Sequence, residues 1–97
     1  MLNETQFLEV FDACVRSAKP VLDDYVQPTS MEATIPEMGL DSLDTALTLA
    51  LLCEVYGLTN EDAAALPKGS LKQMYDWLQS KKTRDYDSVV DAVKVIA

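Results

Sequence analysis

Ser42 stands between two carboxylates in the run Gly39-Leu40-Asp41-Ser42-Leu43-Asp44, and an apolar stretch from Ala46 to Tyr56 follows it. Asp41 suits a helix N-cap, and Asp44 suits the first turn of the helix that the cap opens. A serine hydroxyl is thereby placed where a loop becomes a helix. The free N–H groups of a first turn favour an anion bonded to that oxygen. Nucleophilic catalysis is a poor fit, because the chain has no histidine and no Lys or Arg lies between Lys19 and Lys68. A serine without a base nearby in sequence reads as one that is modified and presented, not one that attacks.

The elements that must position Ser42 are helical. Asn3 or Thr5 caps a first helix, in which Phe7, Val10, Phe11, Cys14, Val15 and Ala18 keep a 3.6-residue period up to Pro20. Pro20 ends or kinks that helix, and a short turn after it is expected to bury Val21, Leu22 and Tyr25. Residues 27–41 form a long connection that Ile35, Met38 and Leu40 pin to the core. The second helix runs from about Ser42 to Tyr56 and stops at Gly57. Thr59 or Asn60 caps a short third helix that Pro67 and Gly69 break. Ser70 caps a fourth, with Leu71, Met74, Tyr75 and Leu78 as its apolar stripe and Trp77 beside it. Beyond Lys82, the residues Tyr86, Val89, Val90, Val93 and Ile96 repeat at helical spacing in a tail too short to be a stable helix alone.

Composition agrees with one all-α domain. The chain has 97 residues, 48% of them hydrophobic and 25% charged, with three glycines. Its net charge of −8 is unevenly spread: residues 1–62 hold 12 acids against 2 bases, and residues 63–97 hold 4 acids against 6 bases. Nucleic acid and anionic membranes are poor partners for the acidic part, while basic protein surfaces are good ones. Cys14 and Cys53 form neither a disulfide framework nor a metal site and read as small apolar packing residues. Along one helix Cys53 lies roughly 16 Å from Ser42, too far for joint chemistry. Met1-Leu2-Asn3-Glu4 lacks the basic and apolar regions of a signal peptide, and no apolar run is long enough to span a bilayer. A cytoplasmic monomer is expected.

The order of a long helix, a long loop, a helix opened by Asp-Ser-Leu, a short helix and a closing helix resembles the acyl carrier protein family. The resemblance covers residues 4–82 and is tightest from Ile35 to Tyr56. It implies a four-helix acyl-carrier-type bundle with three longer helices, one short helix and a C-terminal amphipathic tail over residues 83–97. It also implies that a phosphopantetheinyl transferase attaches 4′-phosphopantetheine from coenzyme A to Ser42. The arm then holds acyl groups as thioesters for the acyl-loading and chain-modifying enzymes of fatty-acid, polyketide or related lipid biosynthesis. The carrier itself is not an enzyme. Partner contacts carried over by resemblance are Asp41, Leu43, Asp44, Ala46, Leu47, Ala50 and Glu54.

Three positions on the second helix that the family commonly keeps acidic are here Leu47, Cys53 and Glu54, so only Glu54 keeps the charge. With Leu43, Leu47 and Leu51, this helix is apolar nearly all round, which is usual for a helix buried on both sides. Three explanations are open: partners that dock by apolar contact, a tail that packs over part of this surface, or a tail disordered in solution. Five apolar residues on one stripe favour a packed or partner-ordered tail over disorder. Two other functions compete, an aminoacyl carrier of the D-alanyl or peptidyl kind and an unmodified carrier-like adaptor. Asp41 before the serine favours the acyl type, and an adaptor has no need of Ser42.

Overall fold

The computed structural model describes residues 1–19 and 21–96. Among them are five α-helices: α1 (Glu4–Ala18), α2 (Ser42–Val55), α3 (Asn60–Ala65), α4 (Leu71–Lys81) and α5 (Val89–Val93). A single 3₁₀ turn, Pro36–Met38, interrupts the long connection between α1 and α2. No strand occurs among the described residues, and one isolated bridge joins Thr34 to Ser70.

Local chemistry fixes the helix starts. The Asn3 side chain accepts from the Gln6 N–H while the Gln6 side chain accepts from the Asn3 N–H, each at 2.8 Å, which closes a capping box. Thr59 with Asp62 and Ser70 with Gln73 repeat the device at α3 and α4. The end of α2 is set by Gly57 at φ +75°: its N–H donates to the Glu54 carbonyl, and Leu58 N–H reaches back to Cys53. That pair of bonds is a Schellman stop, which needs a residue that tolerates the left-handed region. α1 ends at Ala18 with Lys19 as its C-cap. Pro20, expected to end it, lies outside the described residues.

Phe7, Val10, Phe11, Cys14 and Val15 of α1 are buried against Leu49, Leu52, Cys53 and Val55 of α2 and Leu71, Met74 and Leu78 of α4. Phe7 meets the Tyr75 ring edge-on at 5.2 Å, and the Tyr75 hydroxyl donates to the Leu2 carbonyl at 2.7 Å. Tyr75 thus buries its apolar body while its polar tip stays satisfied, whereas the buried Tyr56 hydroxyl has no partner among the described residues.

The long connection is held at several points. Ile35, Met38 and Leu40 are buried as expected. Val26 N–H donates to the Met38 carbonyl at 3.0 Å, folding the two ends of the loop together. The first N–H groups of α4, at Leu71 and Lys72, donate to the carbonyls of Ala33 and Met31. A loop thereby satisfies a helix start that would otherwise need water. One expectation fails here. Val21 is exposed, and only Leu22 and Tyr25 pack against the core, both half-buried. The Tyr25 hydroxyl instead donates to Asp12 at 2.7 Å, and the Arg16 guanidinium lies over its ring.

The tail is ordered against α1, not across α2. Its residues packed against the core are Tyr86, Val89, Ala92, Val93, Val95 and Ile96. Val90, assigned to the stripe by its apolar character, points to solvent with 64% of its surface exposed, while Ala92 is fully buried. Val90 falls on the outer side of this short helix, and a small residue, Ala92, lies where α5 is packed most closely.

Candidate functional site

Asp41 caps α2. Its carboxylate accepts from the Asp44 N–H at 2.7 Å, and its carbonyl accepts from Thr45 N–H at 2.9 Å. Ser42 follows as the first residue of the helix and is exposed. The N–H groups of Ser42 and Leu43 have no acceptor among the described residues. A hydroxyl at this place sits at the positive end of a helix of 14 residues, next to two free donors. Gly39, three residues earlier, holds φ +73° and ends the 3₁₀ turn that delivers the chain to Asp41.

The expected contact residues separate into two groups. Leu43, Ala46, Leu47 and Glu54 are exposed and Ala50 is half-buried, all on one stripe of α2. Leu43 is 67% exposed and Leu47 44%, so a helix that reads as buried all round keeps one wet apolar face. Cys53, placed by resemblance on the exposed face, is fully buried with Leu49 and Leu52. The tail packs against α1 and leaves this face open.

Asp44 departs from its expected role. It is only 9% exposed, and its carboxylate accepts from Lys19 Nζ at 2.9 Å. That bond holds the Asp44 carboxyl below the usual carboxylate range and raises the Lys19 amine. With its charge met from α1, Asp44 is a weak candidate for meeting a basic partner, and the exposed acids of this face are Asp41 and Glu54.

Two grooves lie along the N-terminal half of α2, and one of them is lined by Ser42. One, of about 360 Å³, is lined by Leu40, Asp41, Ser42, Thr45, Ala46 and Lys68. The other, of about 250 Å³, runs along the seam of α2 and α3 past Ala46, Leu49, Ala50, Asn60, Ala63, Ala64 and Lys68. Ala46 and Lys68 belong to both. Lys68 was missed by sequence reasoning, which considered only bases close along the chain. The available signal was its place between Pro67 and Gly69, in a break that returns toward the start of α2.

Neither cysteine takes part. Burial pushes the Cys14 thiol up to about 12, with Cys53 and Glu54 adding to the effect. Burial, helped by Asp62, takes Cys53 to about 11. Both stay protonated and unreactive near neutral pH. Among the described residues no cluster of His, Cys, Asp or Glu suits a metal ion, and no helix is long and apolar enough to cross a membrane. Compared with family models, curated proteins and solved structures, the chain matches none of them.

Proposed function

We propose that this chain is an acyl carrier, built as a four-helix carrier bundle with an added tail helix, whose Ser42 bears a 4′-phosphopantetheine arm. The observation that carries the reading is the setting of Ser42: an exposed hydroxyl opening a long capped helix, with free N–H groups and an apolar groove beside it. A phosphodiester fits that setting, since its charge meets the helix end and its ester chain meets apolar wall. Catalysis by Ser42 itself fits poorly, for no imidazole exists in the chain.

In loading, the bond from Ser42 Oγ to phosphorus forms as the pyrophosphate bond of coenzyme A breaks. Adenosine 3′,5′-bisphosphate leaves, and a base of the transferase takes the hydroxyl proton. When bound, the arm supplies a terminal thiol that carries an acyl group as a thioester. The residues of the chain do the rest. Asp41 fixes the turn, the first-turn N–H groups hold the phosphate, and Leu43, Ala46 and Leu47 offer partner enzymes an apolar docking face with Asp41 and Glu54 at its edges. Such a face gives less electrostatic steering than an acidic one and relies more on contact.

The exposed pair Leu43 and Leu47 would serve an unmodified adaptor equally well. Intact mass separates the two readings. The chain and a Ser42→Ala variant are incubated with coenzyme A and a promiscuous phosphopantetheinyl transferase. A gain of one phosphopantetheine in the wild type alone supports the carrier. No gain by a folded, unmodified chain leaves the adaptor.

A further inference from the structure

Among the described residues, five of the eight cationic side chains pair with a carboxylate within 4.0 Å: Arg16, Lys19, Lys72, Lys82 and Lys94. Lys68 is not among them, and it is the one cation lining the Ser42 groove. Its backbone is fixed from both sides, by the buried Leu66 before it and by Ser70, which caps α4, after it. The groove needs such a charge. Asp44 beside Ser42 is matched by Lys19, but Asp41 is exposed and has no cation within ion-pair distance. An anion bonded to Ser42 would lie next to that carboxylate, whose nearest partner is the Asp44 N–H and not an ion-paired cation, and at physiological salt only charges within about 8 Å count strongly.

We propose that Lys68 is the countercharge for the phosphodiester on Ser42, holding the base of the arm in the groove that opens onto the α2–α3 seam. This rests on the carrier reading. Lys68 lines both grooves and shares Ala46 with each, so a group paired with it lies at their junction, next to Ala63 and Ala64. A lysine suits the task because its ammonium is a point charge on a flexible stem, which needs no planar fork to meet a tetrahedral phosphate. The pair is exposed, so its effect is modest: the share of arm held in the seam changes roughly two- to fivefold with the charge.

The test uses the full chain, labelled with ¹⁵N, before and after loading from coenzyme A, with loading checked by intact mass. Amide shifts at Ala46, Ala63 and Ala64 are compared for wild type, Lys68→Gln and Lys68→Arg. The loaded form without an acyl group adds no anion except the phosphodiester, so a carboxylate on the cargo cannot be the source of the response. Loading is expected to move Ala63 and Ala64 in the wild type and in Lys68→Arg, to move them roughly two- to fivefold less in Lys68→Gln, and to move them less in the wild type at high salt. Equal shifts in Lys68→Gln overturn the role of Lys68. Loading that leaves Ala63 and Ala64 unmoved in the wild type overturns the inference alone. Failure of any mass gain removes the carrier reading, and this inference falls with it.

Discussion

Lys19 Nζ lies 2.9 Å from Asp44 Oδ2, joining the C-cap of α1 to the first turn of α2 across 25 residues of sequence. The bond spans both ends of the long connection, so the loop that delivers Ser42 is closed at its base by one ion pair. Both side chains are largely withdrawn from water. Removing one partner strands the other charge in that setting, which costs more than the pair contributes.

Asp44→Asn and Lys19→Met should each lower the melting temperature, and the double variant should lose less than the sum of the two, as contacting residues do. The pH dependence follows from the two shifts. Asp44 has a lowered pKa, so its contribution is full above the ordinary carboxylate range and is lost as pH falls through the lowered value. Lys19 has a raised pKa, so its contribution is full below the ordinary amine value and is lost as pH rises through the raised one. The stability gap between wild type and Asp44→Asn should therefore be flat from about pH 5 to 9 and close toward pH 3. A gap that widens in acid would show that the pair is not the cause.

Gly39→Ala should destabilise the chain by more than about 1 kcal/mol. The residue holds φ +73°, and an added Cβ would run into the Asp24 carbonyl oxygen on the facing part of the loop. The loss should read as a melting temperature lower by roughly 5 °C. Loading of Ser42 should slow as well, because the turn that presents it is displaced. An unchanged melting temperature would mean that the loop relaxes freely at this point.

These relationships mark where the sequence was legible. Asn3, Asp41, Thr59 and Ser70 were readable as helix caps because each cap and its third-position partner lie within one turn of chain. The position of Ser42 followed from the same local rule. Lys19 and Lys68, which bound the stretch without cations, were not assigned to the site. What returns them to α2 is the packing of α1 and the break after α3, neither of which has a short-range signature. The burial of Asp44 belongs to the same class: its capping turn was visible, but its partner was not. The tail erred differently. Hydrophobicity ranked Val90 above Ala92, whereas close approach of two helices selects the smaller side chain.

Cys14 and Cys53 should resist alkylation in the native chain. With thiols raised to about 12 and about 11, the thiolate fraction at pH 8 is on the order of 10⁻³ or less. Both are also fully buried, so reagent access requires opening of the α1–α2 interface. Iodoacetamide at pH 8 should leave the folded protein unmodified by mass and add two groups once denaturant is present. Rapid labelling of either cysteine in the native state would mean that this interface opens far more readily than its packing implies.

The tail supplies the last prediction. Ala92 is fully buried against the bundle, and Gln6 Nε2 donates to the Asp87 carbonyl at 3.4 Å where the tail crosses the start of α1. Five residues of helix cannot hold themselves together, so α5 exists because α1 gives it a surface. Ala92→Glu should detach the tail, since releasing five residues of helix costs less than burying an unpaired carboxylate. The loss is then capped at the docking energy of the tail, about 2 kcal/mol from its partly buried apolar groups. Truncation after Lys82 should lower the melting temperature by a similar amount, roughly 10 °C. Hydrogen exchange should distinguish undocking from global unfolding: amides of residues 89–96 lose protection in Ala92→Glu while those of α2 keep it. Loss of protection throughout α2 would show instead that the tail and the bundle fold as one cooperative unit. Because α5 packs on α1, away from Leu43 and Leu47, Ala92→Glu should also leave loading of Ser42 unchanged.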